Sequence, residues 1–319
     1  MSTVRTRILS VGSYVPETVL TNKQIETFLN TSDEWITTRT GIKERRIVPK
    51  DGQISASEMG SKAARVALER AGLCASDVDG IAVATFTPDN FFPSTACRIQ
   101  SELGCEGAFA FDLSAACAGF VYVLTVASNM ILSGQAKTML VIGSEVISKT
   151  LDWTDRGTCI LFGDGAGAVV LQAREDSSKG ILSSYLSSDG SLGNILQLPA
   201  WGENRVMQMK GNEVFKHAVR LMTDASRKAV SKAGLSIEQI DLLIPHQANI
   251  RIIQSIAEQL SIPMSKVVTN LDRYGNTSSA SIPLALEEAW LDGRVKEDTK
   301  VLMVGLGGGI TVGSVVATL

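Results

Sequence analysis

The chain resembles itself. Ala71-Gly72-Leu73 recurs 162 residues later as Ala233-Gly234-Leu235, and at the same spacing Val78-Asp79 matches Ile240-Asp241 and Ile81 matches Leu243. Ser133-Gly134-Gln135 matches Asp292-Gly293-Arg294 at a spacing of 159. Gly143 pairs with Gly305 at the ends of the apolar runs Met139 to Ile142 and Val301 to Val304, and Gly167-Ala168-Val169-Val170 resembles Gly313-Ser314-Val315-Val316. Solenoids repeat every ~20–50 residues, so two copies of roughly 160 do not make one. Such a pair fits two α/β halves packed about a pseudo-twofold axis, residues 1–174 and 175–319. The join falls in the charged, serine-rich stretch between Arg174 and Gly180. Short helix ends such as Ala-Gly-Leu recur by chance, but these matches arrive in the same order.

Each copy alternates helix and strand, as an α/β fold requires. Ser55 to Gly72 reads as a helix, with Ser55-x-x-Glu58 as a capping box and Gly72 as its stop. Asp79 to Thr85 reads as a mostly buried strand, and a helix over 213–233 followed by a strand over 241–245 repeats that order.

The repeat also nominates a site. Carried back to Cys117, the 159 spacing lands on Asn276. Each is expected just after a strand, opening a run of small residues that leads into a helix, so the two would face one cleft. A thiol at a helix N-terminus feels the positive end of the macrodipole, which favours thiolate. The alternative for Cys117 is a small buried hydrophobe, the reading adopted for Cys74, Cys97, Cys105 and Cys159. The chain has only two histidines. His246 follows the apolar strand Asp241 to Pro245, at the carboxyl end where α/β folds place ligands. His217 lies inside a periodic helical stretch and reads as structural. Cys117, His246 and Asn276 make a Cys-His-Asn set, which papain-type proteases also use, although their signature around the cysteine is missing.

Two histidines nearly exclude a multi-His metal site. Thirty Lys and Arg against 33 Asp and Glu give a net charge of −3, which argues against a general nucleic-acid binder. No segment has the ~18 apolar residues of a membrane span. Met1 to Val15 lacks the apolar core of a signal peptide. Five cysteines with no Cys-x-x-Cys pair suit reduced thiols, and the expectation is a soluble cytoplasmic protein. The glycine cluster Phe162-Gly163-Asp164-Gly165-Ala166-Gly167 reads as a tight turn between strands. Gly305-Leu306-Gly307-Gly308-Gly309 reads as backbone passing close to a ligand, with amides able to donate to an oxyanion.

These residues together resemble the β-ketoacyl-acyl-carrier-protein synthase III family of thiolase-like condensing enzymes. The resemblance covers nearly the whole chain. It rests on Thr31-Ser32-Asp33-Glu34-Trp35-Ile36, Arg39-Thr40-Gly41-Ile42, Ala115-Ala116-Cys117-Ala118-Gly119-Phe120, Asp155-Arg156-Gly157 and the Phe162 to Gly167 cluster. Pro245-His246-Gln247-Ala248-Asn249 and Tyr274-Gly275-Asn276-Thr277-Ser278 complete it. It implies an α/β thiolase-like fold in α-β-α-β-α layers, and a decarboxylative condensation of a short acyl-CoA with malonyl-acyl-carrier protein. Cys117 would be the nucleophile, and the Cys117 and Gly308 amides its oxyanion hole. His246 and Asn276 would stabilise the malonyl enolate. Trp35 and Arg156 would sandwich the coenzyme A adenine, Arg39 and Arg251 would contact its phosphates, and Asn249 the pantetheine arm. Phe92 would cross a homodimer interface into the partner's acyl pocket.

No metal or redox cofactor is implied. An acidic carrier would dock on a basic rim of Lys216, Arg220 and Arg251, although Glu258-Gln259 stand where some relatives have lysines. Leu306 and Val312 stand where the family usually has Phe and Trp, so the expectation is a roomier acyl pocket or an altered decarboxylation geometry. The resemblance leaves two alternatives open: a secondary-metabolism relative with another starter acid, and a non-decarboxylating acyltransferase.

Overall fold

In a computed structural model of the chain, residues 4–175 and 179–319 are described. The join expected between Arg174 and Gly180 includes residues 176–178, which lie outside the described residues. Five strands, β1 (Arg5–Tyr14), β2 (Gly80–Ala84), β3 (Phe109–Leu113), β4 (Thr138–Glu145) and β5 (Gly165–Arg174), pair in the order β1-β5-β4-β2-β3. Four more, β6 (Gly180–Ser188), β7 (Leu242–Pro245), β8 (Lys300–Gly307) and β9 (Thr311–Thr318), pair in the order β7-β8-β9-β6. Read backwards, the second sheet repeats the first. The parallel pair β2–β4 corresponds to β7–β8, and the antiparallel pairs β4–β5 and β1–β5 correspond to β8–β9 and β6–β9. The counterpart of β3 shrinks to one residue, Val267, bridged to Leu243.

The helices are α1 (Asp33–Thr40), α2 (Ala56–Ala71), α3 (Thr95–Leu103), α4 (Gly119–Leu132), α5 (Gly211–Lys232), α6 (Ile250–Gln259) and α7 (Ser281–Leu291). Core clusters assign them to layers. Phe120 and Leu124 of α4 and Ile282 and Leu286 of α7 pack with Met139, Val141, Val301 and Met303, the inward residues of both sheets. The alternate residues Leu140 and Ile142 meet Met59 of α2 and Ile99 of α3. Leu302 and Val304 meet Met222 of α5 and Ile256 of α6. Strands covered on both faces read as unbroken apolar runs, and a helix between two sheets as one without charge, as α4 does. The result is the thiolase-like α-β-α-β-α arrangement. Among the described residues no helix is long and apolar enough to cross a membrane.

Three local expectations need correction. Ser55 caps α2 by accepting from the Glu58 amide at 3.2 Å, and Gly72 ends it at φ 66°. The reciprocal arm of a capping box is absent, because Glu58 reaches forward one turn to Lys62 at 2.9 Å. Asn276 does not follow a strand; it follows the one-turn helix Leu271–Tyr274. The counterpart of Cys117 is Ser279 rather than Asn276. α4 has 14 residues and α7 has 11, so the change of spacing from 162 to 159 happens inside α7, downstream of the site. Upstream, Ala116 (φ 46°) and Ser278 (φ 50°) hold the same left-handed conformation, and both helices open three residues later.

Candidate active site

A cavity of about 950 Å³ opens where the two sheets' carboxyl ends meet, and Cys117, His246, Asn276, Leu306 and Gly308 all line it. Cys117 sits in the short 3₁₀ turn between β3 and α4. Its backbone lies against β8: a Cβ on Gly307 would stand 2.5 Å from the Ala115 carbonyl oxygen and 2.6 Å from the Cys117 amide nitrogen. Thr311 Oγ1 donates to the same Ala115 carbonyl at 2.9 Å. Gly307 of the second cluster therefore lets β8 approach the backbone of Ala115 and Cys117 closely.

The first cluster seats Asn276. Gly163 N donates to the Asn276 carbonyl at 3.0 Å and Asn276 N to the Leu161 carbonyl at 2.8 Å. A side chain at Gly163 would collide with the Tyr274 carbonyl. The expected tight turn is not what forms. Asp164 is fully buried and accepts from Val48 N at 2.7 Å, Ser148 N at 2.8 Å and the Ser148 hydroxyl at 2.5 Å, while Gly165 to Gly167 already belong to β5. Asn276 Oδ1 accepts from Ser278 N at 2.9 Å, leaving Nδ2 as the end of the amide with protons to give.

His246 stands at the end of β7, its amide bonded to the Val304 carbonyl at 2.8 Å. Gln247 fixes this corner by donating to Pro245 O and Val268 O and accepting from Asn270 N. The imidazole Nδ1 lies 2.7 Å from Ser281 Oγ. His217 does not line the cavity.

Burial sets the charge state of the site. It pushes the Cys117 thiol up to about 12, against the Ser278 hydroxyl that donates to Sγ at 3.2 Å. It pushes the His246 imidazole down to about 3. The thiolate expected from a helix N-terminus is overridden, since desolvation by burial outweighs one weak dipole. A neutral thiol and a neutral imidazole are unlike the ion pair of papain-type proteases.

At the mouth, the Arg39 and Arg156 guanidiniums lie 4.8 and 4.6 Å from the centre of the Trp35 ring. Arg156 also donates to the Asn30 carbonyl at 2.9 Å. Asn249 lines the cavity but its amide is engaged: Oδ1 caps α6 through Arg251 N at 2.9 Å, and Nδ2 donates to the Arg39 carbonyl at 3.1 Å. Arg251, Lys216 and Arg220 are exposed, but only Arg251 reaches the cavity lining. Phe92 is 87% exposed and does not line its own chain's cavity. Val312 is buried opposite Leu306 in the β8–β9 pair and touches the cavity only through it. Cys74 and Cys97 are exposed, not buried as expected, because each lies near the start of a short or outward-facing helix. Among the described residues no group of three His, Cys, Asp or Glu could hold a metal ion.

Two models of the 3-oxoacyl-[acyl-carrier-protein] synthase III family match, one over residues 111–190 and its C-terminal companion over residues 230–319. The β-ketoacyl-[acyl-carrier-protein] synthase III of Aquifex aeolicus is 50% identical over 310 residues, 97% of this chain and 98% of that one. The chain belongs to the β-ketoacyl-[acyl-carrier-protein] synthase III family. The crystal structure of the Aquifex aeolicus synthase III superposes with a TM-score of 0.95 at 49% identity, covering 98% of this chain and 100% of that one. The priming β-ketosynthase of the R1128 polyketide pathway superposes with a TM-score of 0.93 at 36% identity, covering 99% of this chain and 96% of that one.

Sequence reasoning missed Ser278 and Ser281 in this synthase III site. Ala118 and Ala280 match at the 162 spacing, and that match was the signal that would have aligned Ser278 with Ala116, beside the nucleophile.

Proposed function

We propose that this acyltransferase is the initiating condensing enzyme its family membership indicates, and that one cavity runs both half-reactions. The observation that carries this is the convergence of Cys117, His246 and Asn276 on a single cavity with Trp35, Arg39 and Arg156 at its mouth. Cys117 Sγ attacks the thioester carbon of a short acyl-CoA. The carbon–sulfur bond to coenzyme A breaks, and the thiol proton leaves with the coenzyme A sulfur. The Cys117 and Gly308 amides receive the oxyanion, a contribution of ~10²–10³ in rate per donor.

Malonyl-acyl-carrier protein then loses carbon dioxide, and its thioester oxygen takes up the electron pair as an enolate. Asn276 Nδ2 is free to donate to that oxygen. Gln247 N donates to Ser281 Oγ at 3.4 Å; with the Ser281 hydroxyl donating to His246 Nδ1, the imidazole's own proton stands on Nε2, ready to donate. A histidine neutral down to about 3 gives this donor without taking a proton from solvent. The enolate carbon attacks the acyl-Cys117 carbonyl, the Cys117 thiolate leaves, and a β-ketoacyl-carrier protein forms. Written so, the reaction needs no metal or redox group.

The labour divides between the halves: residues 1–174 hold the acyl group, and 175–319 make the carbanion. Coenzyme A adenine would displace Arg156 from Trp35, with Arg39 and Arg251 on its phosphates. The carrier would meet Lys216, Arg220 and Arg251. Phe92, exposed beside the stacked pair Phe91 and Trp201 at 5.3 Å, supports a homodimer in which it enters the partner's pocket. A cytoplasmic enzyme fits these substrates. A second reading, priming of a polyketide-type pathway with another starter, is favoured by the small residue Leu306 in the cavity wall and by the likeness to the R1128 priming enzyme. Incubation with a panel of acyl-CoAs and malonyl-carrier protein tests both: mass gain on Cys117 identifies the starter, and β-ketoacyl product with carbon dioxide identifies condensation. Acyl-Cys117 without condensation would mean simple acyl transfer.

A further inference from the structure

Glu145, the last residue of β4, is fully buried and takes no part in the reaction written above. Its carboxyl lies where the segments around the nucleophile meet. Oε2 accepts from the Thr87 hydroxyl at 2.6 Å, and from the Thr85 hydroxyl and the Phe86 and Thr87 amides at 3.2 Å each. Phe86 lines the cavity. Oε1 lies 2.8 Å from Ser279 Oγ, which in turn lies 2.9 Å from the Ala84 carbonyl oxygen. Ser279 is the pseudo-twofold counterpart of Cys117, and its neighbour Ser278 donates to Cys117 Sγ.

Counting protons decides the form of the acid. A serine hydroxyl has one proton, and a carbonyl oxygen can only accept. Both Ser279 contacts are hydrogen bonds at once only if Ser279 donates to Ala84 O while Oε1–H donates to Ser279. The ionised form forces Ser279 to abandon one acceptor in a buried place, where an unmet polar group is costly. Burial outweighs the surrounding donors and raises the Glu145 carboxyl to about 7. Among neighbouring titratable groups, Cys117 faces it and feels its charge. Asp164, preceding its β5 partner Gly165, turns to Val48 and Ser148. Asp89, beyond the 85–87 loop, pairs with Arg98, and Lys149 after β4 is exposed.

We propose that Glu145 is held as a neutral carboxylic acid and is the positioning residue for the nucleophile, fixing the 278–280 turn through Ser279 and thereby the Ser278 hydroxyl against Cys117. Ionisation draws the Ser279 proton to Oε1, releases the Ala84 anchor and sets a buried negative charge facing Cys117, which makes the thiolate harder to form. The inference rests on Cys117 being the nucleophile, and its test reads the thiol without any thioester.

The experiment follows iodoacetamide alkylation of Cys117, resolved by peptide mass so that exposed Cys74 and Cys97 do not interfere, across pH in the wild type and Glu145→Gln. An undisturbed thiol gives a logarithmic rate that rises with unit slope. The wild type is expected to show a shelf beginning near pH 7, where Glu145 titrates. Glu145→Gln, neutral at all pH, is expected to give a straight line, about tenfold faster above the shelf. Straight lines in both proteins, or slower alkylation of Glu145→Gln at every pH, would overturn the proposal. Infrared difference spectra at low pH give a measure independent of the variant's folding. A protonated-carboxyl band that disappears through the same pH range supports the proposal, and its absence contradicts it. Failure of acyl-CoA to load Cys117 would sink the proposed function while leaving this profile intact.

Discussion

The residues around the nucleophile are tuned to stay neutral. Cys117 and His246 are both shifted away from their charged forms by burial, so in the proposed acyl transfer the thiolate forms as the substrate arrives. Ser278 is the side chain placed to help. Its hydroxyl donates to Sγ, a bond that strengthens as sulfur gains charge and is worth ~1.5–3 kcal/mol to a charged acceptor. Ser278→Ala should slow alkylation of Cys117 at neutral pH by about tenfold or more with little change in melting temperature; an unchanged rate would show that the contact does no work on the thiol. Cys117 and His246 were nominated in sequence because each stands just beyond a strand, whereas Asn276 was nominated through a repeat match that the structure moves to Ser279. The charge state was not legible, since a helix N-terminus is visible in sequence and the depth of a cavity is not. The same is true of Asn249, where the amide that suggests ligand contact is occupied by the α6 cap and the Arg39 carbonyl.

At the scale of elements, the helices and strands nominated from periodicity and end signals all form, with bounds moved by a residue or two. What the sequence conceals is the point at which the repeat changes spacing. Helix α7 is three residues shorter than α4, and an alignment anchored beyond that deletion carries Cys117 onto the wrong partner. Asn276 enters the cavity through a different device: Leu161 and Gly163 of the first half grip its backbone on both sides. Glycine makes these close approaches possible. Gly307→Ala would press a methyl onto the Ala115 carbonyl and the Cys117 amide, backbone atoms that cannot turn aside. It should cost ~1–3 kcal/mol of stability and reduce loading of Cys117. Gly190→Ala meets nothing within 4 Å and is the control that should leave both unchanged; equal effects would remove packing as the cause.

For the whole molecule, duplication accounts for the way residues of both halves meet in one cavity. Two sheets of the same strand order bring equivalent strand ends together, and the copies differ there, one giving the Cys117 turn and the other the His246 and Asn276 corner. The two halves were readable from the repeat and the five layers from the family resemblance, while the exposed Phe91, Phe92 and Trp201 are where the proposed homodimer is tested. Phe92→Asp should convert a dimer to monomers in sedimentation analysis, whereas a monomeric wild type would refute the shared pocket. The central claim is the division of labour between the halves. Intact mass and product analysis of Cys117→Ala, His246→Ala and Asn276→Ala, each given acyl-CoA and then malonyl-carrier protein, test it most directly. Cys117→Ala should take up no acyl group. His246→Ala and Asn276→Ala should load as the wild type does and lose β-ketoacyl product by ~10²–10³. Equal loss of loading in all three would contradict the account.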